Sequence, residues 1–289
     1  MSVFAQKVVL ITGGAKGIGR ALGARLAVLG SHVYLTDIDA DGLALTVRDI
    51  AATLATTGEG TVEATGRGTF EGTVEGTVLD VTDADAFQAT VDHLVARHGG
   101  LDFLFNNAGV GATGEAQDLP AAAWDRLIDV NLRGVVHGVR AAYPHMVEGR
   151  RGHIVNIACA AGLVPFPLTA AYSATKHGVV GLSTALRSEA ARHGVKVSVV
   201  CPSVVDTSMF DSIEYFGVDK EALLSPVSRA MMSPDKCAQR ILRGLRRNRA
   251  IIPIGLGSRL AWGLYRLAPL AFLRLTQKGF QIFRRRFLP

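Results

Sequence analysis

A chain of 289 residues, 48% hydrophobic and 19% charged, can bury one large α/β core; its three cysteines (Cys159, Cys201, Cys237) lack metal-ligand spacing, which excludes a disulfide framework or a zinc site. The net charge of +6 hides an asymmetry: from Lys236 to the end there are 13 Lys or Arg and no acid, leaving 18 bases against 25 acids in residues 1–235. An acidic body with a basic tail excludes a uniformly basic nucleic-acid binder.

No apolar run approaches the ~20 residues that cross a bilayer, and no basic, apolar leader precedes the first strand, so a cytoplasmic protein with reduced thiols is expected. Val8-Val9-Leu10-Ile11 reads as a strand buried on both faces. It ends at Thr12 and breaks into Gly13-Gly14-Ala15-Lys16-Gly17-Ile18-Gly19 just before a helical pattern at Ala21, Leu22, Ala24, Leu26 and Leu29. Gly13 and Gly17 let the backbone turn close to a ligand, Gly19 lets the helix pack on the sheet, and free N–H groups at the helix start face a diphosphate. His32 to Thr36 is a second strand ending in Asp37, where a carboxylate bonds adenosine ribose hydroxyls and repels a 2′-phosphate. The cofactor expected is therefore NAD(H) over NADP(H), although Lys16 pulls the other way by pairing with that phosphate.

Residues 39–56 read as a helix. From about 57 to 77 the chain repeats Gly, Thr and Glu (Glu59-Gly60-Thr61-Val62-Glu63, then Glu71-Gly72-Thr73-Val74-Glu75), which reads as an inserted surface β-excursion or mobile loop without chemistry. The last repeat, Glu75-Gly76-Thr77-Val78, runs into the third strand, which closes at Val78-Leu79 and is followed by Asp80-Val81, the acid placed to bond an adenine amino group. Asp83 caps a helix running to about His98. Leu101 to Phe105 is the fourth strand, and Asn106-Asn107-Ala108-Gly109 after it suits a crevice where backbone approaches a ligand, or equally a plain Asx turn. A long helix from about Pro120 to Val147 carries Asn131 in its interior, a poor helix residue whose position implies a buried task such as ordering a water.

The fifth strand, His153–Ile157, leads through Ala158-Cys159-Ala160-Ala161-Gly162 into an apolar loop, Leu163 to Leu168. Val179, Leu182 and Leu186 mark the next helix, on which Tyr172 and Lys176 lie four apart and share a face. An ammonium near a phenol lowers a pKa that is ordinarily about 10, making tyrosine an acid or base near neutrality, though such pairs also occur by chance. A sixth strand, Val195 to Cys201, ends in Pro202-Ser203-Val204-Val205-Asp206-Thr207. A helix-rich excursion (Met209 to Met232), a helix at about Pro234 to Arg247 and a closing strand at Ile251-Ile252-Pro253 complete the series. Seven strands alternating with helices predict an α/β fold, a doubly wound seven-stranded parallel sheet covered on both faces.

Taken in order, Thr12-Gly13-x-x-x-Gly17-x-Gly19, Asp37, Asp80, Asn106-Asn107-Ala108-Gly109, Asn131, Tyr172-x-x-x-Lys176 and Pro202 with Thr207 make residues 5–253 resemble the short-chain dehydrogenase/reductase family, in its NAD-preferring single-domain form. The resemblance implies a Rossmann-type dehydrogenase domain over residues 1–253, with 254–289 a basic amphipathic tail. It implies that Tyr172 is the general acid/base, that Lys176 lowers its pKa and bonds the nicotinamide ribose, and that Asn131 holds a relay water. The cofactor is implied to meet Thr12, Gly13, Lys16, Gly17, Ile18, Gly19, Asp37, Asp80, Val81, Asn107, Ala108, Gly109, Tyr172, Lys176 and Pro202, with Val205 and Thr207 at the nicotinamide carboxamide. A homodimer or homotetramer through the two long helices is implied likewise.

Two positions depart from the family pattern. Cys159 stands where the family has a serine that bonds the substrate oxygen; a thiol is a weaker donor on a longer bond, and losing such a donor costs ~3 kcal/mol, roughly a hundredfold in rate. Ser203 replaces the usual glycine after the proline, where a small residue is either tolerated or crowds the nicotinamide. Leu163, Val164, Phe166 and Leu168, with Met209, Phe210, Ile213, Tyr215 and Phe216, give the cleft an apolar lining. Leu163, Phe166, Met209 and Phe210 are the substrate candidates, and the substrate expected is an apolar secondary alcohol or ketone.

In the tail, Arg259, Arg266, Arg274, Lys278, Arg284 and Arg285 fall mainly on one helical side. Trp262, Leu264, Tyr265, Ala268, Phe272, Leu275, Ile282 and Phe283 fall on another, with a kink at Pro269. Residues 258–287 thus suit peripheral contact with an anionic membrane, packing on a neighbouring subunit, or a cover for the substrate cleft. Two functions stay open: an NAD(H)-dependent alcohol/ketone oxidoreductase with Cys159, Asn131, Tyr172 and Lys176 at its centre, or a cofactor-binding, catalytically weakened scaffold or redox sensor attached to a membrane by its tail.

Overall fold

The computed structural model describes residues 2–57, 72–207, 209–224 and 231–287. The aliphatic run Val8–Thr12 is β1, with Val9, Leu10 and Ile11 wholly buried, each such side chain contributing roughly 1.5–3 kcal/mol. In chain order there follow α1 (Gly17–Val28), β2 (His32–Asp37), α2 (Ala40–Thr57), β3 (Thr73–Val78), α3 (Ala84–His98) and β4 (Phe103–Asn106). A short β5 (Ala112–Gly114) precedes α4 (Ala121–Ile128), a π-helical turn at Asp129–Arg133, and α5 (Gly134–Glu148). Next are β6 (His153–Ile157), α6 (Ala170–Ala190) and β7 (Lys196–Pro202). The chain closes with α7 (Met209–Ser212), β8 (Glu214–Phe216), α8 (Lys220–Leu224), α9 (Pro234–Arg246), β9 (Ile251–Ile254), α10 (Leu256–Leu267) and α11 (Pro269–Phe287).

Seven strands form one parallel sheet in the order β3-β2-β1-β4-β6-β7-β9. One apolar layer packs Phe87, Val91, Val139 and Val179 of α3, α5 and α6 against the sheet; the other packs Leu22, Leu26, Leu43, Ile50 and Ile241 of α1, α2 and α9. Strand order reverses between β1 and β4, which opens a crevice at their carboxyl ends. Local signals agree with this frame. Asp83 caps α3 by accepting from Ala86 N at 2.9 Å, and Gly99, at φ 71°, ends it in the left-handed conformation.

Two expectations need correction. The segment read as an insertion over 57–77 supplies β3 itself: Thr73 to Val78 pairs in register with His32 to Asp37. As the edge strand it is largely exposed and so carries Thr and Glu instead of an aliphatic run. Residues 58–71, with the first repeat, lie outside the described residues.

The helix expected from Pro120 to Val147 is interrupted where Asn131 sits, by the π turn. The tail forms the C-terminal helical extension expected, and its aromatic side faces inward. Trp262 packs on the main core, Phe272 is buried and touches Tyr265 with ring centroids 5.4 Å apart, and Arg284 reaches Glu115 at 2.9 Å. The chain breaks at Ala268 into two helices, as Pro269 demands.

Candidate active site

Thr12 closes β1 by tying its end to that of β4. Its hydroxyl accepts from Asn107 N at 3.0 Å and Ala108 N at 3.1 Å, and Asn107 Nδ2 donates to the carbonyls of Thr12 and Gly13 at 2.9 and 3.0 Å. The glycines are sterically required. Gly13 has φ 66°, and a Cβ there would lie 2.9 Å from Ala108 Cα; one on Gly19 would lie 2.0 Å from the Gly13 carbonyl oxygen. Gly17, at φ 58°, faces Thr207, whose Cγ2 would be 3.1 Å from an added Cβ, so the glycine turn and the loop after β7 meet across the crevice. No side chain caps α1, which leaves the first-turn amides of Gly17, Ile18 and Gly19 for an anion. The unpaired amides of this cradle suit the charge of a dinucleotide's diphosphate.

Asp37 lies at the rim of the turn. Its Oδ2 accepts from Ala15 N and its Oδ1 from Asp39 N, both at 3.0 Å, which fixes the carboxylate's direction. Lys16 lies 3.8 Å from Asp39, an ion pair that sets a second carboxylate at the same end. Asp80 accepts from the amide and hydroxyl of Thr82 at 2.9 and 2.7 Å. Val81 beside it is buried against Gly134, where a Cβ would lie 2.8 Å from Val81 Cγ2.

Asn131 is wholly buried at the π turn and pairs with the backbone of Val110: Oδ1 accepts from Val110 N and Nδ2 donates to Val110 O, both at 2.9 Å. A widened turn of this kind frees a side chain from the helical repeat, so Asn131 points at the loop after β4. Gly109 sits between it and Lys176; a Cβ there would be 2.9 Å from Asn131 Oδ1 and 3.4 Å from Lys176 Nζ. Lys176 is buried, donates to the Ile157 carbonyl at 3.2 Å, and lies 5.6 Å from the centre of the Tyr172 ring.

Burial holds the Lys176 ammonium down to about 8. Burial also pushes the Tyr172 phenol well above its usual value, reinforced by the neighbouring Cys159. The expected lowering of Tyr172 by Lys176 is thus outweighed by desolvation, since the ammonium lies over the ring and on a carbonyl. Asn131, Cys159, Tyr172 and Lys176 are nonetheless gathered at the carboxyl ends of β4, β6 and β7.

The surroundings differ from the sequence picture in detail. A 3-10 turn at Ala160–Gly162 follows Cys159 and presses on α6, where a Cβ on Gly162 would lie 2.5 Å from the Lys176 carbonyl oxygen. Leu163, Val164 and Leu168 are buried, Leu163 within the main core, while Phe166 is exposed beside α11. Phe210 is half-buried in α7; the side chain of Met209 lies outside the described residues. Pro202 and Val205 are buried, and Ser203 turns toward Gly255, whose added Cβ would lie 2.5 Å from Ser203 Oγ, so the serine packs away from the crevice. β5 and β8 pair as a two-stranded sheet beside Tyr172, a wall the sequence did not signal because each strand has three residues. Among the described residues no cluster of His, Cys, Asp or Glu is arranged to hold a metal, and no helix is long and apolar enough to cross a membrane.

A profile of the family described as short chain dehydrogenase matches residues 7–215. SadH of Mycobacterium tuberculosis is 34% identical over 284 residues, 96% of this chain and 97% of that protein, so the likeness extends into the C-terminal helices. The (-)-trans-carveol dehydrogenase of Rhodococcus erythropolis is 38% identical over 208 residues, 71% of this chain and 73% of that protein. The crystal structure of a short chain dehydrogenase/reductase from Burkholderia phymatum in complex with NAD is 30% identical, with a TM-score of 0.79 over 92% of this chain and 95% of that one.

Proposed function

Because the chain belongs to the short chain dehydrogenase family, we propose that it interconverts an apolar secondary alcohol and its ketone, with NAD(H) as the preferred cofactor. The observation that carries this reading is the convergence of Asn131, Cys159, Tyr172 and Lys176 beside an uncapped glycine turn. The bound nicotinamide supplies the hydride in one direction and accepts it in the other.

The chain's own residues do the rest. Thr12, Gly13, Gly17, Ile18 and Gly19 bind the diphosphate, with Asp37 on the adenosine ribose and Asp80 and Val81 at the adenine. Asn107, Ala108 and Gly109 line the crevice, with Pro202, Val205 and Thr207 opposite. In ketone reduction the Tyr172 hydroxyl gives its proton to the carbonyl oxygen as the carbon gains hydride; in oxidation the phenolate takes the alcohol proton. The Lys176 charge stabilises that phenolate, Cys159 orients the oxygen, and Asn131 holds the Val110 loop from which a relay water is ordered. NAD(H) is favoured because Asp37 is fixed by two amides and Asp39 occupies Lys16, leaving net negative charge where a 2′-phosphate would sit. Phe166 and Phe210 support an apolar substrate, as does the carveol dehydrogenase of Rhodococcus, which is named for a terpenoid alcohol.

Reduction of an apolar ketone by NADH deuterated at the transferable position tests the reading. Mass spectrometry should find the deuterium on the carbinol carbon; product without label, or no product across a panel of apolar ketones, contradicts it.

A further inference from the structure

The face of α10 turned away from the body is a stripe of leucines. Leu256, Leu260, Leu264 and Leu267 recur at helical spacing and are 73%, 66%, 47% and 88% exposed. Ser258 marks the opposite, buried side of the helix. Isolated exposed leucines need no explanation, but four on one helix face form an apolar stripe of the kind that marks a contact surface.

Charge selects the partner. From Gly255 to the C-terminus there are seven Lys or Arg and no Asp or Glu. Arg259 and Arg266 line one side of the stripe, held by the Pro253 carbonyl at 2.9 Å and over the Trp262 ring at 5.2 Å. A two-fold contact between copies of this chain would lay the stripe on itself and bring like charges together. An anionic surface meets both the leucines and the arginines favourably.

We propose that the leucine stripe of α10 docks the protein on the surface of an anionic lipid bilayer, with the helix lying in the interface plane. The contact differs from the aromatic side of the tail, which is spent on the body. Its place is functional: α10 starts at the carboxyl end of β9, the end of the sheet that carries Tyr172 and Cys159. Beyond it α11 runs past Phe166, where Leu273, Thr276, Gln277 and Phe280 close a 560 Å³ groove. Docking there sets the mouth of the cleft beside the bilayer, from which an apolar substrate partitions. The docking surface rests on the tail alone and stands or falls separately from the activity.

The test is co-sedimentation of the full chain with phosphatidylcholine vesicles with and without phosphatidylglycerol, for wild type and for Leu260→Ser/Leu264→Ser/Leu267→Ser. These side chains are exposed, so the variant should keep its melting temperature and its solution activity. Wild type is expected to bind the anionic vesicles, and the variant to bind them more than about tenfold less. Equal binding by both proteins, or no binding by wild type, overturns the proposal. So does wild type that ignores vesicles but is larger in solution than the variant, which would assign the stripe to a second copy of the chain.

Discussion

Cys159 lies beside Tyr172, close enough to reinforce the rise that burial gives the phenol, so the residue in the serine position is an immediate neighbour of the proposed acid/base. A thiol is a weaker and longer-range donor to a substrate oxygen than a hydroxyl.

Cys159→Ser should therefore raise kcat by roughly tenfold on a common alcohol, and Cys159→Ala should lower it, because a hydroxyl strengthens and a methyl removes the second contact to the reacting oxygen. Steady-state kinetics of the three proteins checks this. A serine variant slower than wild type would mean that the pocket is shaped for the larger sulfur.

The proton balance of the site predicts opposite pH profiles for the two directions. Burial raises the Tyr172 phenol and holds Lys176 down to about 8, so at neutral pH the tyrosine is protonated and the lysine still charged. Ketone reduction uses the neutral phenol and should fall only as pH rises above the ordinary phenol value of about 10. Alcohol oxidation needs the phenolate and should climb over that same alkaline range. The kcat profiles measured in each direction decide it; parallel profiles would remove Tyr172 from proton transfer.

Asp37→Ser should raise kcat/KM for NADPH by about ten- to a hundredfold with little gain for NADH, since it removes the carboxylate that two amides aim at the ribose. The double variant with Asp39→Asn should go further by releasing Lys16 to pair with a 2′-phosphate. Wild type that already prefers NADPH would show that Lys16 outweighs both acids.

Much of this site was legible from residue order, and the reasons are local. Buried parallel strands demand aliphatic runs, so β1, β6 and β7 announced themselves, and Gly13, Gly17 and Gly19 are positions where a side chain has no room. β3 hid among Gly-Thr-Glu repeats because an edge strand need not be apolar. Leu163 looked like cleft lining but is core, since composition does not say which way a loop turns. Ser203, which residue order leaves either tolerated or crowding the nicotinamide, turns its hydroxyl toward Gly255. The pairing of β5 with β8, and of Asn131 with Val110, depends on contacts between segments far apart in sequence, which no local pattern encodes.

Acid should destabilise the fold through His153. It is buried against Ser198, its ring nitrogen 2.9 Å from Oγ, and burial lowers it from 6.5 to about 3. Between those values the unfolded chain takes up a proton that the folded one refuses, so this contribution is intact above pH 6.5 and lost progressively as pH falls toward 3, amounting to roughly 5 kcal/mol at the acid end. The melting temperature of His153→Gln should be less pH-dependent than that of wild type across this window; identical slopes would place the acid sensitivity elsewhere.

The most direct test of the central claim is NADH formation at alkaline pH over a panel of apolar secondary alcohols, comparing wild type with Tyr172→Phe. Turnover by wild type on at least one alcohol, reduced about a thousandfold or more in the variant, is the predicted result. Equal rates in the two proteins, or a wild type that binds NADH but turns over no alcohol even as Cys159→Ser, would contradict it and leave cofactor binding as the function of the fold.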